Sequence, residues 1–504
     1  MKAFSNIDPS AGPRQATDAP SNRGEPGRRL VVECGETLSA SVIWKWQRDW
    51  FEQASLSVWT DDVVPHHVNT NAYCARRYAR IAVAWVRSLD MHPRGLWVPG
   101  QTPLTVLELG AGNGLFAHRF IREFRRHLGS ERASPRLRYV LSDISEDRIS
   151  TLAKVPALRT AHVNGELEFR CYAVAEGAGP PVDGVDGLPL LTIANYLFDG
   201  LPADAYEVRG GRVFRLSPRI SLPVDEAARS APMDHFDLSW DSEHVEPGGG
   251  ELGRLLRGYL TAGREGYATI PRGAIACLKA CLQTGCVELL TLAADRGTSL
   301  DEPLCSQPPS VARHGSFSID VNFDAIASWF DIRRGHAMTT RSGRSDHVNF
   351  FGLLGSSLEE RPLLKDAWLQ SFDEFGMDDY LALKNAAIAQ PAEDPWALLA
   401  FLRLSGCDER LFLSLLPMLV HHLRESDDGA LRTAATRLAE EVRANALPDP
   451  HGLVDFGLGR VLAALEVWEG AAEACRAALA CKHDEMVERF LQLCQSMIAD
   501  PSGE

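Results

Sequence analysis

Apolar residues follow two regimes along the chain. Short β-branched and aliphatic runs fall at 105–109, 139–142, 167–172, 190–194, 205–209, 213–216 and 287–293, several of them separated by helical patterns. They predict an α/β domain over 101–355 built on a largely parallel sheet. Ahead of it, 36–100 is dense in Trp44, Trp46, Trp50, Phe51 and Trp59, and 71–86 has helical spacing with basic residues opposite the apolar ones. This predicts a helical cap. From 361 to 504 the pattern is helical with no strand signal, which predicts a separate all-α domain. Two stretches lack periodicity. Residues 1–35 are rich in Pro, Ser, Gly and Arg and read as a disordered leader. Residues 218–250 are polar, end in Pro247-Gly-Gly-Gly250, and read as a flexible loop beside the substrate.

The 105–109 run leads directly into Gly110-Ala-Gly-Asn-Gly-Leu115, and Phe116, Phe120 and Phe124 then recur at four-residue spacing on one helix face. A strand, a glycine-rich turn and a helix in this order make a nucleotide- or nucleoside-binding crossover. A phosphate loop of the Walker type requires Lys-Ser or Lys-Thr where Leu115-Phe116 stands, and a dinucleotide loop spaces its glycines differently. Glu108 beside the alternating glycines resembles the first motif of class I S-adenosylmethionine-dependent methyltransferases. That resemblance implies that Glu108, Gly110, Gly112, Asn113 and Gly114 cradle the amino acid part of the cofactor. The next apolar run closes at Asp143, where nucleoside-binding α/β folds hold ribose hydroxyls. Taken alone, Asp143 or Ser145 could serve simply as a helix N-cap, but the order and spacing of Asp143 behind Glu108 favour the ligand.

A third strand is expected to end at Asn195, followed by Tyr196-Leu-Phe-Asp-Gly-Leu-Pro202. In an α/β sheet this sets Asn195, Tyr196 and Asp199 over the strand ends. Together with Asp295-Arg-Gly297, the segment 314–323 and Phe350-Phe-Gly-Leu-Leu354, this region resembles the methyltransferase family that includes the mitochondrial complex I assembly-factor arginine methyltransferase and its bacterial homologues. The resemblance spans 38–355. It implies a Rossmann-like domain and S-adenosylmethionine as cofactor; among the candidate catalytic residues, Asn195 is expected to bound the pocket, Tyr196 to line the acceptor channel and Asp199 to polarise or clamp the acceptor. Tyr196 replaces the family's Glu, Ala111 its Pro and Asn113 its Arg, while Asp320 and Asn322 replace a His and an Asp. A carboxylate suits a guanidinium because it accepts paired N–H donors, and Asp199 is placed to supply one.

In the C-terminal domain, 454–479 resembles one tetratricopeptide unit, with Leu458-Gly459 at the helix crossing and Trp468 at the turn; a plain helical bundle fits the same pattern. Over the whole chain, 504 residues imply two or three domains, and a net charge of −15 argues against a nonspecific nucleic-acid binder. It leaves room for a basic protein or peptide substrate, with a protein partner engaged through the helical domain. No apolar run reaches membrane-spanning length. Eleven cysteines, an odd and irregular set, suggest a reducing cytoplasm. Cys277, Cys281, Cys286 and Cys305 could ligate zinc, but the first two lie within an amphipathic helical pattern and no C-x-x-C pair is present. No metal is expected. The expected activity is methylation of a protein side chain, arginine among the candidates. A small-molecule methyltransferase and a catalytically silent cofactor-binding scaffold are the alternatives.

Overall fold

A computed structural model describes residues 29–61, 63–64, 66–90, 102–128, 137–175, 177–224, 232–300, 302–340 and 346–499. Most of the expected leader, residues 1–28, lies outside them. The strands in chain order are β1 (Arg29–Glu33), β2 (Leu104–Leu109), β3 (Leu137–Asp143), β4 (Leu167–Cys171), β5 (Pro189–Asn195), β6 (Asp204–Arg209), β7 (Arg212–Pro223), β8 (Asp237–Val245), β9 (Gly266–Ile270), β10 (Glu288–Thr298), β11 (Ala312–His314), β12 (Ser316–Ser318), β13 (Val321–Asn322), β14 (His336–Thr339) and β15 (His347–Leu354). The chain divides into two compact units. One takes residues up to 69 and 77–376, the other 70–76 and 377 onward.

In the first unit the main sheet runs β14-β15-β10-β5-β2-β3-β4, with β13 joined to β10. Strands β4, β3, β2, β5 and β10 are parallel, and β15 is antiparallel to both neighbours. The chain builds outward from β2 through β3 to β4, then returns to lay β5 on the other side of β2. This reversal opens a crevice at the carboxyl ends of β2 and β5, where α/β sheets bind ligands.

Both faces of the sheet are covered, which is why its central strands read as continuous apolar runs. Alternate residues sort to the two sides. Leu107, Val140, Leu190, Leu289, Ala293 and Phe350 pack with the helices Gly250–Thr261, Arg272–Leu282 and Phe323–Ile332. On the other side, Tyr139 meets Phe120 of helix Leu115–Leu128, and Phe351 meets Trp368. Cys277 and Cys281 are buried on helix Arg272–Leu282, where burial pushes both thiols up.

The sheet expectation needs correcting in three places. Segments 205–209 and 213–216 do not join the parallel sheet. As β6 and β7 they form a second, antiparallel sheet of order β1-β7-β6-β9, with β8 on the free side of β7. The supposed loop 218–250 contains the end of β7 and all of β8, paired from Val213↔Val245 to Ser221↔Asp237. Leu238 and Trp240 of β8 pack toward a core shared with Trp44, Phe236 and Phe317. Finally, residues 29–33, assigned to the leader, are a strand on β7.

The second unit is all-helical from Met377–Ala389 to Glu485–Ala499. Helices Leu453–Ala464 and Trp468–Cys481 approach closely at Gly459, where a Cβ would stand 3.2 Å from Cys475 Sγ and 3.3 Å from the Ala471 carbonyl. The boundary falls later than expected, because helix Pro362–Trp368 and residues 369–376 belong with the sheet. No described helix is long and apolar enough to cross a membrane.

At the opposite end of β10 from the crevice, Glu288 is buried beside Arg361, which donates from Nε and Nη2 at 3.1 and 2.6 Å, and it also accepts from the Trp85 indole. Removing one partner leaves the other charge stranded, at about 3–5 kcal/mol. Arg361→Met should lower urea stability by that amount, and adding Glu288→Met should recover most of it.

Candidate active site

The glycine turn is shaped by backbone demands that only glycine meets well. Gly112 has φ of +56°, and a Cβ there would lie 3.0 Å from Trp59 Nε1. Ala111 donates to the Ser142 carbonyl at 2.9 Å, Gly112 to Asp143 Oδ2 at 3.2 Å, and Ser142 Oγ to the Glu108 carbonyl at 2.7 Å. The turn is thus tied to the end of β3. Asn113 accepts from Leu115 N–H at 3.1 Å through Oδ1, so its side chain caps the following helix.

Glu108 is buried at the end of β2 and accepts from Tyr139 O–H at 3.0 Å. Burial raises its pKa to about 8; the tyrosine bond opposes the shift and the Asp143 charge adds to it. Asp143 is equally buried. Its Oδ1 accepts from Ser145 N–H at 3.1 Å and from Arg148 Nε and Nη2 at 3.1 and 2.5 Å. Ser145 caps helix Glu146–Leu152, accepting from Arg148 N–H at 3.4 Å, while Asp143 faces the glycine turn. Arg148 was not foreseen. Its guanidinium also donates to the carbonyls of Phe51 and Ala54 at 2.6–3.1 Å and stacks 4.7 Å from the Trp59 ring.

The residues after β5 gather at the adjacent strand ends. Asn195 accepts from Tyr78 O–H at 3.0 Å. Tyr196 takes a φ of +50°, unusual for a residue with a Cβ, and its N–H donates to the Ala294 carbonyl at 2.9 Å. Its ring lies 6.0 Å from that of His347. Asp199 donates its backbone N–H to Asp295 Oδ2 at 3.1 Å, and both carboxyl groups are buried. Two carboxylates this close do not both ionise in a dry site. Burial raises Asp199 to about 6 and, with the Asp199 charge, Asp295 well above the ordinary range. Nearby, Arg296 pairs with Asp320 at 3.3 Å.

Thus Glu108, the glycine turn and Asp143 form one cluster, and Asn195, Tyr196 and Asp199 extend it along the strand ends. Sequence reading missed Asp295 and His347 as site residues because partners on different strands leave no periodic signal. Asn322 is the N-cap of helix Phe323–Ile332, accepting from Ala325 N–H at 3.1 Å, and holds the Thr269 carbonyl at 2.9 Å.

A Gly112→Ala substitution adds both a left-handed-φ penalty of roughly 1–2 kcal/mol and a clash with Trp59. The expected outcome is a lower Tm together with at least about tenfold weaker binding of whatever ligand the turn holds, read by calorimetric titration.

Residues 79–246 match a family model described as "putative S-adenosyl-L-methionine-dependent methyltransferase". No curated protein matches the chain. Two solved structures from Burkholderia thailandensis are similar. One, an uncharacterised protein, has 14% identity and a TM-score of 0.36 over 58% of this chain and 70% of its own. The other, a "likely methyl transferase" bound to S-adenosyl-homocysteine, has 16% identity and a TM-score of 0.37 over 58% of this chain and 71% of its own. The matched segment holds β2, β3, β5 and the glycine turn between them. The chain is a methyltransferase that uses S-adenosylmethionine as its methyl donor.

Proposed function

We propose that the protein methylates a nitrogen on a protein side chain, arginine foremost, with the helical unit recruiting the target. The observation that carries this reading is the buried Asp199–Asp295 pair at the carboxyl end of β10, beside the turn that follows β5. A guanidinium presents paired N–H donors to carboxylates and must lose a proton as it takes a methyl group. A carboxyl raised to about 6 is a stronger base than an ordinary one and is still ionised at neutral pH. The helical unit supports a docking role through exposed Met486, Leu493 and Ile498 on its last helix.

The residues present fit the cofactor. Glu108 supplies a carboxyl group for a cationic amine, and Asp143 Oδ2 accepts only the Gly112 N–H among the described residues, which leaves it acceptor capacity for a ribose hydroxyl. When bound, S-adenosylmethionine supplies a methyl group already activated on a sulfonium. The protein's own work is alignment, worth up to roughly 7–11 kcal/mol in favourable cases, and proton removal. Asn195, fixed by Tyr78, borders the reacting centre. Asp199 accepts the proton that the acceptor nitrogen loses, and Asp295 steadies Asp199 by accepting its backbone N–H.

Two measurements test these roles. Because Asp199 must be ionised to act, kcat/KM on an arginine-rich peptide should rise with pH through about 6 and then level. Asp199→Asn should lower kcat by about 100-fold or more while leaving cofactor affinity intact. Unchanged turnover in that variant removes Asp199 from the mechanism. The same raised pKa makes the ionised form unfavourable in the fold, so this group's contribution to stability is full below the ordinary carboxylate range and is lost as pH climbs through 6. Glu108, raised to about 8, is mostly protonated at pH 7, and an ammonium placed beside it favours ionisation. Cofactor binding should therefore release protons at pH 7, seen as buffer-dependent heats in titration calorimetry and abolished in Glu108→Gln.

A further inference from the structure

A row of residues crosses the sheet near the strand ends. Asn195 of β5 pairs with Ala294 of β10, which pairs in turn with Asn349 of β15. Ala294 is the small centre of the row, with a carboxamide on either side. Asn69 reaches the same place from the N-terminal segment, its Nδ2 donating to the Ala294 carbonyl at 2.9 Å beside the Tyr196 N–H. Two residues before Asn349 on β15, His347 lies buried against the Tyr196 ring.

Several polar atoms of these residues lack a partner among the described residues. Among the described residues, Asn69 Oδ1, Asn195 Nδ2, Asn349 Oδ1 and both ring nitrogens of His347 lack a hydrogen-bond partner. Asn69, His347 and Asn349 are each more than nine-tenths buried. An unmet buried polar atom is costly, and native proteins keep few of them. Five on four neighbouring residues imply that a ligand group meets them.

The character of these atoms narrows the ligand. Asn69 and Asn349 offer carbonyl oxygens. Burial pushes the His347 pKa down to about 4, so at neutral pH its ring is uncharged and offers one lone pair and one N–H. Three uncharged acceptors in one place complement a group rich in N–H donors. Residue parity puts Asp295 on the opposite face of β10 from Ala294, so carboxylates approach the end of β10 from one side and these acceptors from the other. The remaining amide, Asn195 Nδ2, sits at the end of β5, next to the strand that carries the glycine turn.

We propose that His347, Asn349 and Asn69 form the subsite that grips the acceptor's guanidinium by N–H groups not held by carboxylate. This rests on the methyl-transfer reading and assigns the specificity for a donor-rich nitrogen group to three residues far apart in sequence. Tyr196, through its left-handed φ, closes the subsite by laying its ring against the His347 imidazole.

The test is long-range ¹H–¹⁵N spectroscopy of the full chain labelled at histidine nitrogens, with S-adenosylhomocysteine present and its binding heat measured on the same sample. The His347 signals are those lost in His347→Gln. Ethylguanidinium is the probe, and propionamide, of similar size but uncharged, is the control. A saturable shift of the His347 nitrogens with ethylguanidinium, several-fold weaker in Asn349→Leu and absent with propionamide, is expected. No shift, or an equal shift with propionamide, overturns the subsite while a normal binding heat leaves the methyl-transfer reading standing. Absence of any binding heat removes that reading and the subsite with it.

Discussion

A guanidinium sealed from water must have acceptors for its donors, and Arg148 meets that requirement by reaching three parts of the chain at once. It takes the Asp143 carboxylate at the end of β3, the carbonyls of Phe51 and Ala54 at the end of an early helix, and the face of Trp59. The N-terminal segment is therefore tied to the glycine turn and the end of β3. Trp59 in turn lies directly over Gly112, so the same contact that neutralises Asp143 sets the roof above the glycine turn. Movement of the segment around 51–59 uncovers the turn only if Arg148 finds other acceptors.

The chemistry at the far side of the crevice depends on a different constraint. Asp199, from the turn after β5, and Asp295, from β10, meet in one dry site, where electrostatics allows a single charge rather than two. The Asp199 N–H, donated to Asp295 Oδ2, holds the two groups together, and burial keeps them from both being charged. The turn that carries Asp199 starts from Tyr196, whose strained backbone reverses the chain within a few residues of the end of β5. The family-pattern departure at this residue thus coincides with a geometric role, and the departure at Asn322 with a helix cap.

The crevice was legible in the sequence because its parts are contiguous. A buried strand, alternating glycines and an amphipathic helix occupy 105–128, and Asp143 closes the next apolar run. The antiparallel sheet was not legible. Strand β7 carries Pro218, and β8 reads Asp-Leu-Ser-Trp-Asp-Ser-Glu-His-Val, with only Leu238 and Trp240 alternating before charge takes over. An edge strand needs few apolar residues once its partner is fixed, so periodicity fades there. Strand β1 was hidden for the opposite reason: five residues of strand follow a long polar stretch whose composition dominates the reading. Asp295, His347 and Arg148 escaped because what gives each its role is a neighbour brought near by the fold.

Strand β1 pairs with β7 along one edge only among the described residues, and Leu30, Val31 and Val32 are each more than two-fifths exposed. Arg29, paired with Asp237 at 2.9 Å, and Glu33, which accepts from Val42 N–H at 2.6 Å, hold its two ends in place. A short apolar strand with one open ladder is a template for pairing between molecules. At such an edge a charged side chain, such as a lysine in place of Val31, is the kind of change that discourages pairing between molecules.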